Sequence, residues 1–177
     1  MAHPFFTIGH STRPIGDFVG LLRGSAVQAV VDVRTVPRSR TNPQYNRETL
    51  PDALAEHGLR YVHIGALGGL RGRKPEIAPA TNGFWRVQSF HNYADYALTE
   101  PFRTGLAELR ALGHERRCVV MCAEAVWWRC HRRIIADYLI AAGEKVFHIL
   151  GADHVDPAHM TEAARPGGHG ALVYPAP

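Results

Sequence analysis

The sequence predicts an α/β fold: a single three-layer domain of about five mostly parallel strands with helices on both faces. Three observations predict it. Short apolar runs alternate along the chain with segments whose apolar residues recur at helical spacing. The runs are rich in β-branched residues without polar alternation, as in AVVDV, which suits strands covered on both sides. The 177 residues, 46% hydrophobic and 20% charged, are enough for one core but strained as two.

Phe5 to Ile8 predict the first strand, and Gly9-His10-Ser11-Thr12 a turn whose hydroxyls offer caps to the helix that Pro14 opens. Phe18, Val19, Leu21 and Leu22 form that helix's inner face, and Gly24 stops it. Val27 to Val33 predict the second strand. Asp32 within it is an acid in an apolar setting and requires a partner, with Arg34 or a nest of backbone N–H groups as candidates. The next segment, RTVPRSRTNPQYN, is a proline-broken loop carrying Arg34, Arg38 and Arg40.

A short helix, with Thr49 and Asp52 at capping-box spacing, ends at Gly58. Tyr61 to Ile64 predict the third strand. The irregular stretch from Gly65 to Gly83 is long for a compact domain, and its glycines match neither a dinucleotide fingerprint nor a phosphate loop. Phe84 to Leu98, with Phe90, Tyr93 and Tyr96 read as core, and Pro101 to Leu112 predict crossover helices. A fourth strand ends at Cys122, a helix bears Ile134, Ile135, Tyr138 and Leu139, and Lys145 to Leu150 predict a fifth strand. Residues 1–150 thus form the α/β domain, and 151–177 a Gly/Pro/His-rich extension with a loosely ordered end.

Parallel strands would bring the segments after Ile8, Val33, Ile64 and Cys122 to one edge, where ligands bind in open α/β sheets. Basic residues gather there, so the net charge of +4 is concentrated where an anion would sit. The candidate anion or substrate ligands are His10, Ser11, Asp32, Arg34, Arg38, Arg71, Arg129 and Arg132. Cys122 is the candidate nucleophile or redox thiol, at a strand end facing a helix N-terminus; Glu124 and His131 are the candidate proton-moving groups, with ion pairing to Arg34 or Arg132 the preferred reading of Glu124 and anion binding the alternative for His131. Cys130 at the helix start is read first as a residue packed against the sheet, with resolution of an oxidised Cys122 or metal binding beside His131 as the alternatives. Cys122, Cys130, His131, His10 and His63 carry metal-ligating atoms, but their spacing fits no familiar zinc pattern, so no metal and no cofactor are expected. Trp127 and Trp128 offer faces for stacking a base or ring, or a contact surface.

The motifs TIGHST, VVDVRTVPRSR, LRYVHIGALGGLRG, VVMCAE with RCHRRIIADYL, and KVFHIL together resemble the bacterial and archaeal family catalogued as domain of unknown function 488, over roughly residues 6 to 150. The resemblance implies a fold and a crevice, without an assigned reaction. A more distant similarity is to rhodanese-like domains, where an acid–arginine pair ends one strand and a cysteine ends a later one. Here Cys122 is followed by AEAVWWR, a longer and more acidic turn than a rhodanese loop.

Three functions are in play. The first is an enzyme acting on a small anionic or nucleotide-like substrate through Cys122. The second is a nucleic-acid-binding module using the arginine loops and tryptophans. The third is a non-catalytic ligand-sensing domain. Three cysteines with no disulfide framework fit a reducing cytoplasm, and no leader or membrane segment is expected. A monomer or homodimer is expected.

Overall fold

A computed structural model describes residues 2–177. The strands β1 (Phe5–Gly9), β2 (Ala29–Asp32), β3 (Arg60–His63), β4 (Cys118–Cys122), β5 (Val146–Gly151) and β6 (His154–Pro157) make one sheet in the order β3-β2-β4-β1-β5-β6. Every pairing among the first five is parallel, and only β6 runs antiparallel, against β5. The chain leaves β1, skips one position to lay down β2 and β3, then returns to fill the gap with β4. This makes β1 and β4 the two central strands.

Strand periodicity sorts the core into two layers. Val119 and Met121 of β4, with Phe6 and Ile8 of β1, pack under the helices α1 (Ile15–Gly24) and α2 (Leu50–Ala55). Cys118, Val120 and Cys122 face the opposite side, where α3 (Gln88–Tyr96), α4 (Glu100–Glu115) and α5 (Arg132–Ala141) supply Tyr93, Phe102, Leu109, Ile134 and Ile135. The three-layer α/β domain is therefore present as the sequence implies.

Some boundaries differ for local reasons. Helix α4 runs through Gly113 to Glu115, because this glycine lies flat on the Phe5 ring: a Cβ there would come within 2.1 Å of it. Pro14 starts α1 without a side-chain cap; Ser11 adopts left-handed φ (50°) and gives its N–H to the Ala123 carbonyl. Thr49 makes no capping hydrogen bond to α2.

The C-terminal extension adds β6 and a separate hairpin, β7 (Arg165–Gly168) and β8 (Ala171–Val173). Beyond it Tyr174 is fully buried, donating its phenol to Asp137 on α5 and accepting the Phe84 N–H at its backbone carbonyl. Burial raises the Asp137 carboxyl pKa despite these bonds. No helix among the described residues is long and apolar enough to cross a membrane.

Candidate active site

The parallel register delivers four loops to one edge. Behind them the chain is stitched by main-chain bonds: Val33 N–H to the Met121 carbonyl (3.0 Å), His10 N–H to the Cys122 carbonyl (2.9 Å). Gly9 is required at this junction, since a Cβ would fall 1.7 Å from the Glu124 carbonyl oxygen. Between the loops after β2, β3 and β4 and the start of α3 lies a cavity of about 470 Å³.

One wall is built on Asp32 and Arg34. The Arg34 guanidinium donates to both Asp32 oxygens (2.9 and 2.7 Å) and to the Tyr45 carbonyl (2.7 Å), while the Tyr61 phenol closes on Asp32. His10 gives its Nδ1–H to the Ser11 carbonyl, since a carbonyl can only accept, leaving Nε2 to receive Arg34 at 3.3 Å. Burial, and then the Arg34 charge, lower the His10 pKa to about 4, so it stands neutral. The buried acid thus finds the partner its position demanded.

The opposite wall holds the sulfurs. Cys122 ends β4 and Cys130 precedes α5, and both line the cavity. Arg132 is fully buried on the inner face of α5. Its side chain donates to Cys122 Sγ (2.7 Å), Thr7 Oγ1 (3.2 Å) and the Glu124 and Ala125 carbonyls (2.7 and 3.3 Å). Its backbone N–H points at Cys130 Sγ (3.3 Å). Among the described residues no carboxylate pairs with it, whereas Arg34 has Asp32. The acidic groups touching Arg132 are the two thiols.

The thiols are coupled. Burial and the adjoining Cys130 sulfur push Cys122 well up. Burial would raise Cys130 as well, but the Cys122 thiol donates to it, and the Arg132 charge and N–H favour its anion, bringing it down to about 7. The pair therefore gives up one proton near neutrality and holds the second.

His131 completes the cluster. Its Nε2 lies 2.9 Å from the Val33 carbonyl and so carries the proton; Nδ1 then presents its lone pair 3.5 Å from Cys130 Sγ. Desolvation lowers its pKa and keeps the ring neutral. Gly69 lies against this ring, a Cβ there coming 2.5 Å from Nδ1, so the glycine loop approaches a protein side chain closely.

Of the residues singled out from sequence, Arg34, Arg38, Cys122, Glu124, Arg129 and His131 line the cavity. His10, Ser11, Asp32, Arg71 and Arg132 stand behind its walls. Arg71 is committed to the Gly65 and Gly68 carbonyls and to the face of Tyr96. Arg38, Glu124 and Arg129 are exposed at the mouth. Trp127 stacks on His148 (4.7 Å, 8°), while Trp128 is exposed. Cys130 emerges as an equal partner of Cys122; its place one residue before the N-cap of α5 was the available signal. Phe90, read as core, opens onto the cavity with Val36 and Leu70. Among the described residues no three His, Cys, Asp or Glu side chains are arranged to hold a metal ion.

The sequence pattern described as domain of unknown function DUF488 matches residues 14–139, most of the chain and the whole of this site except the β1 end. The chain belongs to that family. No curated protein and no solved structure matches the chain. A rhodanese relationship is not shown by any match. The turn after Cys122 aims the carbonyls of Glu124 and Ala125 inward at Arg132, opposite in polarity to an anion-cradling loop of N–H groups.

Proposed function

We propose that the chain is an enzyme that uses a thiolate on a small anionic substrate held in the basic crevice. One observation carries the reading: Arg132 is a buried cation whose acidic neighbours are the paired thiols Cys122 and Cys130. An isolated buried charge is very costly, and a carboxylate would have neutralised it permanently. A sulfur anion neutralises it while remaining a nucleophile.

The roles follow from the geometry. Cys130 is the attacking sulfur, at the start of α5 where backbone N–H groups and the helix dipole favour its anion. His131 Nδ1 accepts a hydrogen bond from the Cys130 thiol while that sulfur is protonated. Arg38 and Arg129 at the mouth attract the substrate's negative charge, and Glu124, exposed on the same lining, exchanges protons with solvent or leaving group. Cys122, the sulfur expected from sequence to attack, is kept protonated by burial and by the adjoining Cys130, and its thiol faces the Glu124 carbonyl at 3.7 Å.

Iodoacetate and iodoacetamide test this directly, since they carry the same electrophilic carbon with and without a negative charge. The expected result is alkylation of Cys130 with a clear preference for iodoacetate over the ratio a free thiol shows. Sulfate should slow it, and the preference should vanish in Arg38→Ala/Arg129→Ala. A free-thiol ratio, or labelling spread over all three cysteines in the folded chain, would refute the reading.

A further inference from the structure

The second thiol decides which chemistry the first can finish. An acyl or phosphoryl group on Cys130 would be removed by water, and Cys122 would have no part to play. A group joined to Cys130 through sulfur is instead released by a neighbouring thiol. Cys122 is that neighbour: it ends β4 directly beside Cys130, both sulfurs open onto the same cavity, and both touch Arg132. The arginine also supplies the sequence of charges. While Cys130 is the anion, Cys122 keeps its proton; once Cys130 is capped, the negative neighbour is gone and the guanidinium at 2.7 Å favours a Cys122 anion.

The cavity indicates what delivers the sulfur. Val36 (59% exposed) and Leu70 (75% exposed) stand with Phe90 as an apolar rim beside Arg38 and Arg129. A hydroperoxide needs neither apolar rim nor cationic mouth. A molecule with an anionic group, an apolar body and a sulfur–sulfur bond uses all three.

We infer that the crevice is a dithiol site that reduces small anionic disulfides, with Cys130 attacking and Cys122 resolving. This deepens the thiolate reading above and rests on it. In the first step Cys130 sulfur attacks one sulfur of R–S–S–R, forming Cys130–S–S–R and expelling RS⁻. In the second, Cys122 gives its proton to water and attacks the Cys130 sulfur, expelling the second RS⁻. Two electrons pass to the substrate, and the protein is left with a Cys122–Cys130 disulfide, which an external dithiol reduces.

The aromatic dicarboxylate 5,5′-dithiobis(2-nitrobenzoate), a disulfide whose released thiolate is coloured, is a suitable probe for the folded chain. Wild type should release two coloured thiolates per chain and end two hydrogens lighter, with no aryl group attached. Cys122→Ser should release one and retain a stable aryl adduct on Cys130. Cys130→Ser should slow the first release by about tenfold or more, the factor for one unit of thiol pKa. Cys118, at the far end of β4 and pushed up to about 11 mainly by burial, should not react. Stable aryl adducts on folded wild type, without an internal disulfide, would overturn the inference. If iodoacetate still selects Cys130, the thiolate reading survives that outcome; if neither reagent selects Cys130, both fall.

Discussion

Two arginines are buried within this sheet edge, and they are neutralised in different ways. Arg34 is locked to Asp32 through two hydrogen bonds, with Tyr61 and Tyr45 completing the arrangement. Arg132 contacts two carbonyls, a hydroxyl and two sulfurs, and no carboxylate. A carboxylate stays charged at neutral pH, so the first pair is a fixed strut. A thiol pair takes or releases a proton near neutrality, so the second arginine holds a charge that chemistry can move. Burial of a cation is met by a fixed charge on one wall and by titratable sulfur on the other.

Removing each arginine should expose the difference. Arg34→Met strands the Asp32 carboxylate in the core and should cost about 3–5 kcal/mol, measured by urea unfolding at neutral pH. Arg132→Met strands no permanent charge, because the sulfurs simply stay protonated. It should cost less, about 1–3 kcal/mol from the two carbonyls left unpaired, while the first thiol pKa of the pair rises. Equal losses, or an unmoved thiol pKa, would erase the contrast.

The histidines sharpen it through pH. Desolvation lowers His10 and His148 to about 4 and lowers His131 too, so the native state refuses protons that the unfolded chain accepts below about 6.5. Their contribution to stability is intact above pH 6.5 and is lost as pH falls from there toward 4. His148, which lies 2.6 Å from Thr7 Oγ1 and feels the Arg132 charge, should show this clearly. In His148→Gln the urea midpoint should fall less steeply with acid over that window. A slope identical to wild type would exclude the buried neutral imidazole.

Gly69→Ala should have the smallest effect on stability, about 1 kcal/mol, at the mild end of overpacking. Its Cβ meets the His131 ring, so thiol alkylation at neutral pH should fall by more than this stability loss suggests. Unchanged alkylation would remove His131 from the thiol's surroundings.

Much of this was legible in the sequence because the central strands are continuous apolar runs, and parallel pairing then fixes which loops meet. Cys122, Arg34, Arg38, Glu124, Arg129 and His131 follow from that geometry alone. Arg132 looked like a crevice ligand because arginines are usually exposed. Its phase shows otherwise: Arg132, Ile135 and Leu139 lie three and four residues apart on one stripe of α5, and all are buried. Strands β6 and β7 were illegible, since HVDP and RPGG are mostly exposed and held by pairing rather than by apolar burial. The His131 tautomer was equally hidden, because it depends on a carbonyl 98 residues away in sequence.

The most direct test is the thiolate ultraviolet absorbance of the folded chain titrated with pH, in wild type, Cys130→Ser and Arg132→Met. A thiolate equivalent to one sulfur per chain should appear with a midpoint near 7, vanish from that range in Cys130→Ser, and shift upward in Arg132→Met. Should wild type show no thiolate until the ordinary cysteine range of about 8.5 or above, Arg132 would not be neutralised by sulfur, and the account of this site would be wrong.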